Sequence, residues 1–409
     1  MNSHGRRFLD SAVTKSDTSG AVRVFERAHV AALLVLALLL RLALYDYVSS
    51  DALNYILPSL QTMREQGALA SFAARFNDYP PAFLYVLALF SYIPKSVVRP
   101  LFLVKTFSVA FDAVLALGMY RIVRLRHPQG ELPLLACFAV LFMPTVVLNG
   151  ALWAQRDAVY ASFLLWCVLF LCRGEGRRAW SAFALSLCFK LQALFLLPLI
   201  WILLVAGALP WSGALLAPLF YIAVAAPAWM LGAPWGETIA VYRGQIEKYR
   251  DLNMLAPNIY QWLPEEHYSL FLPAGICLAA AALLLLSWCV LRRRRSLSRD
   301  QIVKLALIST VMMPYLLPKM HERYFFPADI FALVYAFYFP RYFYVPIAVV
   351  FASLCGYLRF LFTFTLVPLP LVALLVGAVV IVVLGDLLVE IYSAEDDGAG
   401  VLPDGLSET

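Results

Sequence analysis

The sequence predicts an all-α protein, a polytopic transmembrane helical bundle. Of its 409 residues, 62% are hydrophobic and 14% charged, with a mean hydropathy of +0.78. Apolar runs recur along the whole length, and no polar stretch is long enough to bury a soluble core of its own. Basic residues gather between the runs, as cytoplasmic loops require: Arg6, Arg7, Lys15, Arg23 and Arg27; Arg121, Arg124 and Arg126; Arg173, Arg177 and Arg178; Arg292 to Arg295 with Arg299. The net charge of +6 therefore reads as topology, and points to membrane lipid rather than to nucleic acid.

Residues 1–29 read as a cytoplasmic tail, 30–392 as one membrane domain and 393–409 as an acidic, disordered tail. The first apolar run follows about thirty polar residues and has no small-residue cleavage site after it, so it is expected to stay as the first spanning helix. Spans fall near 30–47, 100–123, 133–149, 157–172, 178–190, 192–207, 211–230, 270–291, 302–318, 324–339, 343–362 and 366–390, about 11–13 membrane helices with both termini inside. Residues 81–94 break the alternation; counted as a full span they would move Arg121 to Arg126 outside, so they are expected to enter from the outer side without crossing.

This map gives larger outer loops at 48–80 and 231–269, and a short outer turn at 318–324. In the first, Leu53, Ile56, Leu57 and Leu60 recur at helical spacing and predict a juxtamembrane helix. All seven cysteines, Cys137, Cys167, Cys172, Cys188, Cys277, Cys289 and Cys355, lie in apolar runs without a CxxC, and read as core residues.

Between Trp153 and Gln192 the chain reads WAQRD, an apolar run, RGEGRR, a second run and FKLQ. That spacing is a helical hairpin with its basic turn inside, which returns Arg156, Asp157, Lys190 and Gln192 side by side on the outer face. Membrane-edge charges are costly unless paired or wet, so this cluster is the first sign of a site.

Each charged residue carries two readings. Asp51, with Ser50, is a candidate helix cap or, facing Arg156, Lys190, His321 and Arg323, a base beside an anion pocket. Lys190 snorkels or binds phosphate. His321 and Arg323 carry the same alternatives, with Glu322 as an internal partner. Asp112 is expected to pair with Lys105 or a neighbouring Arg, and Arg41 is a similar structural charge. Asn258 to Trp262, with Trp235, Tyr242 and Tyr249, form an interfacial aromatic belt or a sugar-stacking surface. A lone Asp without clustered His makes a poor divalent site, so no metal or other cofactor is expected, although Asp46 with Asp51 could contribute to one.

The islands SDALNYILPSLQ with NDYPPAFLY, WAQRDAVY, FKLQALFLLP, APNIYQWLP and LPKMHERYFFPADI, in this order between Tyr45 and Phe339, resemble the GT-C superfamily of membrane glycosyltransferases. Within it they are most similar to bacterial relatives of the glycosylphosphatidylinositol mannosyltransferase II group. The resemblance implies a GT-C-like bundle and a polyprenyl-phosphate sugar donor. It identifies neither the sugar nor the acceptor; the expected reaction is transfer of a hexose, mannose being one candidate, with inversion to a lipid-linked or surface-glycan hydroxyl on the external face of a bacterial inner membrane. It maps the general base onto Asp51, with Asp46 as fallback. Donor phosphate contacts map onto Lys190, Arg323, His321, Gln155, Arg156 and Gln192; Asp157, Asn258, Tyr260 and Trp262 are weaker candidates for sugar or acceptor. Relatives commonly carry Gly at Ala154 and a small or uncharged residue at Arg156, which leaves open whether Arg156 touches phosphate. The rival classes are a flippase for a lipid-linked sugar, which predicts inverted repeats not evident here, and a glycan polymerase or ligase.

Overall fold

The computed structural model describes residues 27–73, 79–292 and 296–393. The two tails, Ala74 to Asp78 in the first outer loop and Arg293 to Arg295 lie outside the described residues. The protein is an all-α polytopic bundle. Its helices are α1 (27–42), α2 (Leu57–Gln66, entered through a π turn at Ala52–Ile56), α3 (Pro81–Ser91), α4 (Pro100–Arg126), α5 (Leu132–Leu141), α6 (Pro144–Leu152), α7 (Asp157–Cys172), α8 (Gly176–Phe189) and α9 (Leu191–Val205). After these come α10 (Trp211–Met230), the short α11 (Trp235–Ile239) and α12 (Val241–Glu247), then α13 (Glu265–Leu291), α14 (Arg299–Leu316), α15 (Phe326–Tyr338), α16 (Pro340–Phe362) and α17 (Leu369–Ser393).

Among the described residues, five helices (α4, α10, α13, α16 and α17) are long and apolar enough to cross a membrane. The span expected at 133–149 is instead α5 and α6, bent by 45° at Phe142 and Met143, where Pro144 begins a new helix. Helices α3, α7, α9 and α15 are apolar but shorter, so among the described residues five helices, or six with the bent pair, have the length and composition of a full crossing, and the remaining membrane helices of the expected 11–13 are short or broken. Hydropathy marks apolar runs; it does not see where prolines and 3-10 turns, such as Leu191–Leu196 at the head of α9, interrupt them. Helix α3 has 11 residues, about 16 Å at helical rise, too short for a crossing.

Helix α7 is the centre of the bundle. It is buried on nearly every side, against α4, α8, α14 and α15, which explains why it reads apolar all round. Its first residue, Asp157, stands at one end of the bundle; its last, Cys172, accepts from Nε of Arg299 at 2.8 Å at the other. At that second end Arg126 pairs with Asp300 at 3.2 Å, and Arg173 and Arg178 pair with Glu175 at 2.8 and 2.7 Å. The basic turns thus share one end, and α7, about 24 Å long, separates them from Asp157.

Buried charges fasten the helices. Arg41 of α1 meets Asp112 of α4 at 2.9 Å, both almost fully buried, as the sequence suggested. Lys105 has a different role: its ammonium donates to the carbonyls of Leu44, Tyr45 and Tyr47 and fixes the chain leaving α1. Lys304 joins Asp386 and Glu390 at 2.7 and 2.5 Å, tying α14 to α17.

Candidate active site

The chain leaving α1 reaches Ser49, whose hydroxyl donates to the carbonyl of Trp153 at 2.7 Å and accepts the backbone N–H of Ala52 at 3.2 Å. Ser49 therefore takes the capping role that the sequence offered to Ser50 and Asp51, and Asp51 makes no capping bond. Its carboxylate is left for the cavity.

Across from it, the chain turns sharply after α6. Ala154 is fully buried with φ +65°, a left-handed conformation costing a residue with a Cβ about 1–2 kcal/mol. The turn is held by Gln155 N–H to Asn149 O at 2.9 Å and by the Ser108 hydroxyl to Gln155 O at 2.7 Å. Its result is that Trp153 and Gln155 point the same way. The indole Nε1 donates to Oδ2 of Asp51 at 3.0 Å and the Gln155 amide donates to the same oxygen at 2.6 Å. Phe360 stacks on the indole at 4.8 Å and Tyr357 meets it edge-on at 5.1 Å, fixing the ring.

The turn after α14 closes the site. A two-residue parallel pairing, Asn253–Met254 (β1) with Met320–His321 (β2), joins it to the 231–269 segment. Arg323 binds Glu322 at 2.5 Å and stands 4.0 Å from Oδ2 of Asp51. Burial alone would raise the Glu322 carboxyl, but Arg323 and His321 hold it below its usual range. Burial pushes the His321 imidazole down, so at neutral pH it is an uncharged hydrogen-bonding group.

The hairpin supplies the remaining wall. Lys190, in extended backbone at the end of α8, forms an ion pair with Asp157 at the start of α7. Asn149 donates to the other Asp157 oxygen at 2.7 Å. The Arg156 guanidinium lies 3.7 Å from the Phe83 ring centroid and 4.7 Å from that of Tyr79. Together these elements enclose a cavity of about 950 Å³, large enough for a drug-sized molecule.

Asp51, Gln155, Arg156, Lys190, Gln192, His321 and Arg323 all line this cavity. Asp157 sits behind it, fully buried, as the partner of Lys190. Four candidates are elsewhere. Asp46 is exposed and paired with Arg99 at 2.7 Å. Asn258 is buried within its own loop, accepting from Tyr260 N–H at 3.1 Å and donating to Pro314 O at 3.1 Å. The Tyr260 hydroxyl donates to Leu316 O at 2.8 Å, and Trp262, half exposed, is outside the cavity lining. Asn258 and Tyr260 thus anchor their loop to α14 and, with Trp262, stand outside the cavity lining, whereas Tyr249 does line the cavity. Sequence reasoning passed over Trp153, whose place inside the WAQRD island was the available signal, and Asn54, Ser59 and Thr62, polar side chains that face the cavity from the π turn and α2. Among the described residues, no group of three or more His, Cys, Asp or Glu side chains is placed to hold a metal ion.

A helical membrane bundle that gathers carboxylates and cations around one cavity, at the end opposite its basic turns, has the build of a polytopic membrane enzyme. The model of glycosyltransferase family 87 matches residues 76–318, more than half of the chain. The chain belongs to that family, a GT-C-like family, and is a membrane glycosyltransferase. No curated protein matches the sequence.

Proposed function

We propose that the protein transfers a hexose, mannose being the first candidate, from a polyprenyl-phosphate sugar to a hydroxyl of a lipid-linked or surface-glycan acceptor. The observation that carries this reading is the Asp51 carboxylate held at the edge of a cavity whose other wall presents Arg156, Lys190 and Arg323. The acceptor oxygen attacks the anomeric carbon as its proton passes to Asp51. The bond from that carbon to the phosphate oxygen breaks, the configuration inverts, and polyprenyl phosphate leaves with the electron pair. Lys190 and Arg323, with Gln155, Gln192 and His321 as hydrogen-bonding groups, support the leaving phosphate, whose bridging oxygen gains charge in the transition state. On this reading the cationic side chains lining the cavity, rather than a metal, stabilise the charge on the leaving phosphate.

The basic turns at the far end of α7 favour a cavity open to the external face of a bacterial inner membrane. The test is transfer by the purified protein from short-chain polyprenyl-phosphate mannose, glucose and galactose, with mass spectrometry of lipid-linked and surface glycans in cells with and without the gene. Turnover with none of these donors, with glycans unchanged by deletion, would refute the reading.

A further inference from the structure

Helix α7 is closed in by its neighbours except along one stripe. Of its 16 residues all are buried but Phe163, Trp166 and Phe170, three aromatic side chains at i, i+3 and i+7 and so on one face. Phe163 meets Phe111 of α4 at 5.9 Å on one side and Phe189 of α8 at 6.0 Å on the other, so the stripe floors a groove where α4 and α8 part. Arg121 stands over this floor, 5.2 Å from the Trp166 ring centroid, and the indole is fixed by its own N–H, which donates to Val114 O at 3.3 Å. Arg124, one turn further on, lies 5.9 Å from the Tyr120 ring centroid. From Pro100 to Arg121 helix α4 rises about 32 Å, which carries the two guanidiniums across the hydrocarbon layer to the headgroup level at the end of the basic turns.

Positive-inside topology accounts for arginines at this end, but not for which of them are matched. Arg126 pairs with Asp300, Arg173 and Arg178 with Glu175, and Arg341 with Asp386. Arg121 and Arg124 are exposed and, among the described residues, join no carboxylate; the exposed Glu131 of the next loop pairs with neither. Nor does α1 cover Arg121, which stands nine residues beyond Asp112, the contact with that helix, and hence about half a turn around α4 from it. An aromatic face fixes the plane of a guanidinium without neutralising its charge, and leaves its edge N–H groups free for an anion.

We infer that this groove is a binding site for one anionic phospholipid of the inner leaflet, its phosphodiester held by Arg121 and Arg124 and an acyl chain laid along Trp166 and Phe163. Two unmatched cations at headgroup depth favour a lipid with net negative charge over a zwitterionic one, whose own ammonium they would repel. They also favour a phospholipid over a polyprenyl tail reaching down from the outer cavity, which would bring only an uncharged hydrocarbon end to the guanidiniums. The site is separate from the cavity and does not depend on the donor reading.

The test is lipid binding to the purified, delipidated full-length protein, read by native mass spectrometry and by the shift in thermal midpoint. Dioleoylphosphatidylglycerol is the probe; dioleoylphosphatidylcholine and uncharged undecaprenol are its rivals. The wild type should hold phosphatidylglycerol about fivefold or more tighter than either rival, the scale set by interfacial cations. Arg121→Gln with Arg124→Gln should weaken that binding by about fivefold or more, and Arg121→Gln alone by about twofold or more if the double variant fails to fold. Arg177→Gln removes another exposed arginine of the same end and should change it by less than about twofold, because that side chain has no place over the groove. Phosphatidylcholine or undecaprenol bound as tightly as phosphatidylglycerol, smaller losses than these in the Arg121 and Arg124 variants, or an equal loss in Arg177→Gln would overturn the inference.

Discussion

Gln155 donates its side-chain amide to Oδ2 of Asp51 at 2.6 Å, the oxygen that also receives the Trp153 indole. The other oxygen, Oδ1, has no hydrogen bond from the protein among the described residues. One side of the carboxylate is fixed and the other faces the cavity, the geometry a base needs if it is to accept a proton in one direction.

Asp51→Asn should abolish transfer, by about 100- to 10,000-fold, while donor binding stays within a few-fold, because the amide keeps the shape but cannot take the proton. Asp46→Asn should be nearly silent, since that residue pairs with Arg99 at the surface. Normal turnover by purified Asp51→Asn protein would remove it as the base.

Gln155→Leu and Trp153→Phe each remove one donor to Oδ2. Each should lower kcat by about 10- to 100-fold with little change in donor KM, and the pair should cost less than the product of the singles, because both act on one oxygen. A rise in KM with kcat intact would show that they serve binding rather than the base.

Lys190→Met leaves Asp157 buried and unmatched, which should destabilise the protein by about 3 kcal/mol or more, with Asp157→Asn in the same chain recovering most of the loss. Thermal unfolding in detergent measures both. Equal stability of the Lys190→Met and wild-type proteins would mean that the ion pair holds nothing together.

Acidification should destabilise the fold through the 318–324 turn. Burial lowers the His321 imidazole from its ordinary value of 6.5, so the unfolded chain binds more protons as pH falls past that value. The stability it contributes is present above about pH 6.5 and is lost as pH falls toward the folded value. Glu322, lowered beneath the carboxylate range by Arg323 and His321, adds a second loss at more acid pH. His321→Gln should flatten the first part of the thermal-midpoint profile; a wild-type midpoint rising between about pH 7 and pH 5 would contradict the sign.

A cysteine at Ser96, in a background without native thiols, should label from outside, and one at Arg126 only from inside. Ser96 is exposed just beyond α3, and Arg126 ends α4 among the basic turns. External labelling at 126 would invert the orientation assigned to the cavity.

Composition and the spacing of apolar runs were enough to define an all-α membrane bundle, because burial in lipid demands long apolar helices whatever their neighbours are. The hairpin was legible too: a basic turn between two apolar legs of known rise must return Lys190 to Asp157, and the two are paired. Contacts set by long-range packing were not legible. Nothing local to Asp51 says that Ser49 will do the capping, or that a left-handed Ala154 will bring Trp153 and Gln155 onto one of its oxygens. Nor does NIYQW reveal in sequence that its amide and hydroxyl are consumed by the carbonyls of Pro314 and Leu316. An aromatic or amide side chain has the same identity in a binding wall and in a packing joint; only the tertiary structure decides which backbone groups lie within reach to satisfy it.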